Sequence, residues 1–137
     1  MTERPDTYVD ARMRVRYAET DQMGVAYYSN YLVWFEVGRT EYCRARGFAY
    51  SDLEEDNETF LPVVEANCRY LKPLLYDREF VVRTRVKTFR RRFLAFTYEV
   101  FSADLETLHA EGETKHVFTG PDGRPKSLPE EFHRFLQ

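Results

Sequence analysis

The sequence is short of cysteine. The two it has, Cys43 and Cys68, stand far apart and outside any CxxC spacing, which argues against a disulfide framework or a thiolate zinc site and reads as two buried thiols. Histidine is nearly as scarce: His109, His116 and His133 are the whole complement. None stands at the i, i+4 spacing of a helical metal pair, so no metal site is expected. No apolar run is long enough to span a bilayer, and Met1 to Asp10 holds acidic residues and Pro5 in place of a leader's apolar stretch. The expected compartment is the cytoplasm, with no membrane partner. There is no excess of positive charge either. The formal net charge is -3, with Lys and Arg spread along the chain, which removes the electrostatic ground for general binding to nucleic acid. Repeats, linkers and low-complexity segments are also missing.

What remains is a chain of 137 residues, 43% apolar and 16% aromatic, enough for one substantial core and too little for two. A single domain over residues 1–137 is expected. From Ala11 to Tyr17 the pattern alternates, with Met13, Val15 and Tyr17 on one face and Arg12, Arg14 and Arg16 on the other, as in a half-buried strand. Ala18 to Ser29 loses both periodicities and reads as a loop. Ser29 or Asn30 is placed to cap a helix running to Arg46, with Gly47 to end it. Its first half is apolar on nearly every side, which suits a helix wrapped by a curved sheet. Gly38 marks a close approach of another backbone. Ser51 and Glu54 have capping-box spacing for a short second helix.

After Phe60 the chain reads as strands: Leu61 to Leu71, Phe80 to Phe89, Phe93 to Ala103 and Thr107 to Thr119, with Arg90, Arg91 and Arg92 forming a basic turn. The hairpin tip between the last two strands is read at Ala103 to Glu106, Pro121, Asp122, Gly123 is a turn by composition, and Pro129 to Leu136 can form a terminal helix. Strand, long helix, then four strands make an α+β layout, an antiparallel sheet on one dominant helix. Such a sheet leaves an edge strand exposed, and pairing with a second subunit is the common answer.

The segment from Tyr17 to Tyr31 places Asp21, Gly24 and the tyrosines Tyr27, Tyr28 and Tyr31 between the strand and the body of the helix. Asp21 falls near the helix N-terminus, where the macrodipole is positive and unpaired N–H groups can bind a carbonyl oxygen or an oxyanion. The plainer reading is an Asx turn at Asp21, with Gly24 supplying a positive φ.

This segment resembles the signature of the hot-dog acyl-CoA thioesterases typified by 4-hydroxybenzoyl-CoA thioesterase. In that family an acid is followed by a glycine, a hydrophobic pair, Tyr or Phe, and an Asn-Tyr or Ser-Tyr entering the helix; here these are Asp21, Gly24, Val25, Ala26, Tyr27, Asn30 and Tyr31. The resemblance continues through Trp34-Phe35-Glu36, Arg39-Thr40-Glu41-Tyr42 and the order of strands, and covers Ala11 to Thr119. It implies a hot-dog fold, one long helix wrapped by a five- or six-stranded antiparallel sheet. Two subunits would join their sheets and share two active sites, giving a homodimer at least, with a tetramer of two dimers expected.

The implied reaction is hydrolysis of an acyl-CoA thioester to the free acid and coenzyme A, with Asp21 as nucleophile or as general base for water. Coenzyme A is part of the substrate, and no cofactor is implied. Gly24, Val25, Tyr27, Asn30 and Tyr31 would line the substrate site. Phe60 is the candidate for a backbone N–H supplied across the interface, its side chain being core or acyl-pocket wall. At Tyr28 the sequence departs from members that carry His there and favour short acyl groups. Its phenol has a much higher ordinary pKa. Tyr28 either orients water or the thioester, or is an aromatic pocket lining, and the change leans toward an aromatic or longer acyl group. The phosphates of coenzyme A call for cations at the pocket mouth, and Arg90, Arg91 and Arg92 are the densest cluster, with an ordinary solvated turn as the alternative. Glu65 is expected to pair with a nearby Arg rather than replace Asp21.

Three other readings compete. A hydratase on the same fold needs a catalytic His, and none lies in the first 108 residues. A non-catalytic acyl-CoA-binding hot-dog domain would ordinarily be joined to an output domain, for which no room is expected here. An unrelated α+β cone that binds small apolar ligands would start with helices.

Overall fold

The computed structural model describes residues 7–49 and 51–136; positions 1–6 of the stretch read above for a leader lie outside them. Strand β1 (Val9–Arg14) is followed by a helical turn at Tyr17–Glu19, helix α1 (Asn30–Arg46), a turn at Asp52–Asp56 and strand β2 (Val63–Tyr70). Then come β3 (Glu79–Arg90), β4 (Phe93–Ser102), β5 (Leu108–Val117) and a short terminal helix α2 (His133–Leu136). The five strands form one antiparallel sheet in the order β1-β3-β4-β5-β2. Among the described residues no helix is long and apolar enough to cross a membrane.

α1 packs across one face of the sheet, chiefly on β1 and β3. It ends at Gly47, whose φ of 116° closes the helix in the left-handed region that glycine adopts without strain, and Arg44 and Arg46 complement the negative end of its dipole. Trp34 packs on Phe80 with centroids 4.5 Å apart, and Phe35 stacks on Tyr98 at 4.3 Å, so the aromatic rows of helix and sheet interlock into one core. At Gly38 an added Cβ would lie 2.6 Å from Thr84 Oγ1 and 2.9 Å from Val82 Cγ1. The close approach expected there is made by side chains of β3, not by backbone.

The opposite face of the sheet is charged. Arg83 holds Asp10 with two bonds of 2.9 Å, Lys87 meets Glu113 at 3.0 Å, Lys115 meets Glu65 at 2.9 Å, and Arg85 pairs with Glu99. Glu65 is therefore paired as expected, though with a lysine instead of an arginine.

Several boundaries differ from the sequence pattern. β1 stops at Arg14, and Tyr17, expected on its inner face, is 80% exposed, because the chain turns at Arg16 to bring Glu19 inward. Ser29 occupies the N-cap position of α1 but its hydroxyl caps nothing, and Ser51 makes no cap bond either. Leu32 and Val33, on a helix face expected to be covered, are exposed, as are Val63 and Val64 of β2.

Candidate active site

The chain leaves β1 pinned to the β2–β3 connection, with Val15 N–H donating to Arg78 O and Asp77 N–H to Val15 O, both at 3.0 Å. One helical turn later Glu19 points inward, 6% exposed. Its carboxylate accepts from Arg16 N–H (2.7 Å), the Trp34 indole N–H (2.9 Å) and the Arg16 guanidinium (3.2 Å). Burial alone pushes its pKa up, but the Arg16 and Trp34 bonds and the Arg16 charge outweigh it, and the carboxyl sits below the usual range.

Asp21 follows in a narrow hairpin. Its N–H donates to Val25 O (3.0 Å), Gly24 N–H returns to Asp21 O (3.1 Å), and Gly24 takes φ +76°. The hairpin is stitched to the connection after β2 by Ala26 N–H to Leu74 O (2.7 Å) and Tyr76 N–H to Gly24 O (3.0 Å). Asp21 Oδ1 accepts from Met23 N–H at 2.8 Å and, more weakly, Val25 N–H at 3.4 Å. The plainer reading of Asp21 and Gly24 is what the turn shows: an Asx bond fixes one carboxylate oxygen and Gly24 supplies the positive φ, while Oδ2 accepts no hydrogen bond from the described residues.

Asp21 is exposed at the rim of a cavity of about 350 Å³ walled by Val25, Tyr27, Tyr28, Tyr31 and Tyr70. The tyrosines touch: Tyr27 and Tyr28 have centroids 4.6 Å apart, and Tyr31 meets Tyr70 edge-on at 5.0 Å. Tyr70 hydroxyl donates to Tyr28 O at 3.0 Å, which ties the end of β2 to the start of α1. Burial lifts the phenols of Tyr31 and Tyr70 to about 12, and the Tyr28 hydroxyl, then the Tyr28 and Asp21 charges, raise that of Tyr27. These three phenols stay protonated near neutrality. At the helix start, Asn30 N–H donates to Tyr27 O and Tyr31 N–H to Tyr28 O, whereas the N–H groups of Tyr28 and Ser29 meet no acceptor among the described residues. A carboxylate with one open oxygen and a pair of open amide donors therefore lie on the same short stretch of chain.

Asp21, Val25, Tyr27, Tyr28 and Tyr31 come together as expected. Asn30 does not line the cavity: its Nδ2 donates to Glu19 O at 2.8 Å, a tether within the protein. Phe60 and the arginine turn are not beside Asp21 in the same chain. The Phe60 N–H, expected to serve a carbonyl oxygen, is committed to Thr119 O at 2.8 Å. Its residue lines a second cavity of about 720 Å³ with Glu36, Arg39, Leu61 and Pro62. Arg90, Arg91 and Arg92 lie at the far end of the twelve-residue β3, about 35–40 Å along the strand from its Asp21 end. They neighbour the Phe60 end, since Phe118 N–H donates to Arg92 O at 3.2 Å and Phe60 pairs with Thr119. Sequence reasoning missed Glu19 and its bond to Trp34. The signal was a buried-helix tryptophan, whose N–H needs an acceptor, fifteen residues after an acid. No cluster of three or more His, Cys, Asp or Glu among the described residues is placed to hold a metal ion.

Residues 15–136 match the model of the thioesterase-like superfamily. A Bacillus subtilis protein named as a candidate acyl-CoA thioesterase, YneP, is 44% identical over 105 residues, spanning 77% of this chain and 75% of YneP. The structure of a DHNA-CoA thioesterase from Staphylococcus aureus superposes with a TM-score of 0.83 at 36% identity, covering 88% of this chain and 80% of that one. The 4-hydroxybenzoyl CoA thioesterase of Pseudomonas sp. strain CBS-3 superposes with a TM-score of 0.83 over 93% of this chain and 98% of that one, and at 19% identity it speaks for the shared hot-dog fold alone. With a family model spanning nearly all of the described chain, a helix cradled by a five-stranded antiparallel sheet, and the acid–glycine–tyrosine hairpin at the helix start, this protein belongs to the thioesterase-like superfamily.

Proposed function

We propose that this chain hydrolyses acyl-CoA thioesters, with Asp21 as the reacting carboxylate. The observation that carries the reading is the Asp21 hairpin, with Oδ1 held by backbone N–H groups and Oδ2 open, followed at the helix start by the N–H groups of Tyr28 and Ser29, which meet no acceptor among the described residues. A thioester carbonyl accepting from those amides would gain stabilisation as charge builds on its oxygen, aided by the helix dipole. Two courses then balance. Either Oδ2 attacks the carbonyl carbon, expels the coenzyme A thiolate and leaves an anhydride for water to cleave, or the carboxylate takes a proton from a water that attacks the carbonyl carbon, the adduct breaks its C–S bond to expel the thiolate, and the proton passes from the carboxyl to the departing sulfur. The tyrosine-lined wall favours an aromatic or long acyl group through apolar and ring contacts, and the S. aureus neighbour named as a DHNA-CoA thioesterase agrees with the aromatic choice.

The working unit in this proposal is a dimer. Among the described residues β2 pairs only with β5 and its other edge is open, with Val63 and Val64 of the strand and Leu32 and Val33 of α1 exposed. Antiparallel twofold pairing of β2 with its copy sets the Val63 end of one strand against the Tyr70 end of the other. That brings the partner's Phe60–Pro62 segment, its 720 Å³ cavity and its Arg90–Arg92 turn toward this chain's Asp21. The cavity would receive the acyl group and the arginines the phosphates of coenzyme A. Two such dimers joining as a tetramer belongs to the same proposal.

Thiol release from a panel of short, long and aromatic acyl-CoAs tests the reading. The wild type should turn over at least one class, and folded Asp21→Asn should lose about a hundredfold or more. Equal activity in the mutant would remove Asp21 from the chemistry.

A further inference from the structure

Glu19 takes no part in the chemistry above, yet it has more bonds than any other side chain around the site. Its carboxylate is reached by Arg16 N–H, the Arg16 guanidinium and the Trp34 indole at 2.7, 3.2 and 2.9 Å. Its carbonyl accepts from Tyr27 N–H and Asn30 Nδ2, each at 2.8 Å. These donors come from the turn after β1, the residue before the open amides, and the first two turns of α1. Trp34 is itself fixed, 2% exposed and packed between Tyr31 (4.9 Å) and Phe80 (4.5 Å).

Two residues past Glu19 the chain reaches Asp21, and one residue past Tyr27 lies the open Tyr28 N–H. Both halves of the reacting centre therefore hang from this one residue. A buried carboxylate is expensive, and apolar packing would stabilise a helix–loop contact at less desolvation penalty. What a fully bonded carboxylate supplies instead is a fixed register, because each bond holds only in one placement of loop against helix.

We propose that Glu19 is a positioning residue for thioester hydrolysis: through Trp34, Asn30 and Tyr27 it sets the Asp21 carboxylate at its working distance from the open amides of α1. The inference rests on the thioesterase reading of the site. Glu19→Gln preserves size but leaves one acceptor oxygen for donors that now use two, and Trp34→Phe removes the indole donor from the other side while keeping a ring in the core.

The test is steady-state thiol release by the full-length protein, with Asp21→Asn assayed in parallel and thermal unfolding recorded for each variant. Glu19→Gln should lower kcat by about ten- to a hundredfold with KM within about threefold. Trp34→Phe should lower kcat in the same direction, and the double variant should be no slower than the slower single one, since both remove one linkage. A purely structural role would lower the unfolding temperature and leave kcat of the folded fraction unchanged; that result, with Asp21→Asn inactive, overturns the positioning role and spares the thioesterase reading. A change confined to KM, or additive losses in the double variant, overturns it as well. If Glu19→Gln does not fold, Trp34→Phe decides alone, and wild-type kcat there sinks the proposal. Wild-type activity in Asp21→Asn, or no turnover of any acyl-CoA by the wild type, removes the underlying reading and the positioning role with it.

Discussion

The two edges of the sheet are built in opposite ways. β1 is a short edge whose inner side is anchored, with Ala11 buried and Val9 and Met13 packed on the core. Its outer side is guarded by charge: Arg12 faces Glu79 at 3.7 Å, Asp10 is gripped by Arg83, and Arg14 donates to Asp77 O at 2.6 Å. β2 has no buried residue at all, and only Cys68 is even half-covered. Charged edges resist pairing, and a long edge with exposed valines invites it. The contrast teaches that β1 is finished within one chain, whereas the exposed β2 edge is the surface that the proposed dimer would cover.

The largest expected effect comes from breaking that difference. Val64→Asp places a charge on the open edge in both copies. If the proposed dimer forms through this edge, the variant should be monomeric by light scattering and, with the proposed shared site undone, thiol release should fall by about a hundredfold. Arg12→Ala on the closed edge should leave assembly unchanged and turnover within about twofold. Equal assembly in both variants would erase the distinction.

A second prediction concerns the residues that hold the lead into β2. His116 Nδ1 lies 3.1 Å from Leu61 O, so that nitrogen donates. Its Nε2 then accepts from Thr114 Oγ1 at 2.8 Å, and the Tyr98 hydroxyl donates to Thr114 at 2.6 Å. The ring is fully buried, and burial, joined by the Arg39 charge and opposed by the Leu61 bond, lowers its pKa from 6.5 to about 4. Between those two values the unfolded chain binds the proton and the folded chain does not, so stability must fall as pH drops through that window, by on the order of 2–3 kcal/mol. Denaturant unfolding at pH 7 and pH 4.5 measures it. In His116→Gln this part of the slope should vanish, and an unchanged slope would show that the ring is protonated when folded.

The smallest effect belongs to the closed side. Gly38→Ala forces a methyl against Thr84 and Val82 of β3 and should destabilise by about 1–3 kcal/mol, seen as a lower melting temperature, without altering assembly. Unchanged melting would mean that helix and sheet separate there without strain.

What the sequence made legible follows the range of the interactions. The extent of α1 could be read because its apolar pattern and Gly47 are local. β3, β4 and β5 could be read because alternation and short turns are local too. That β2 sits beside β5 instead of β3 depends on contacts between residues such as Cys68 and Gly112, and no periodicity reports them. Asp21, Gly24 and the tyrosines were legible through a resemblance and through their place before the helix. Glu19 was not, since a buried acid reads as a surface charge until its donors are known. Phe60 and the arginines were recognised as candidates, but a single sequence does not say that they lie at the opposite end of their own chain.

The strand order also bears on how the protein comes into being. β3, β4 and β5 are successive hairpins whose closure loses little chain entropy, whereas β1 and β2 must return from distant parts of the chain to reach β3 and β5. The central meander is therefore expected to form first and the β2 ladder last, and in the proposed dimer that ladder waits on an encounter between two molecules. A newly made chain would be folded before it is competent, and on dilution the active site would come apart while most of the core stayed intact.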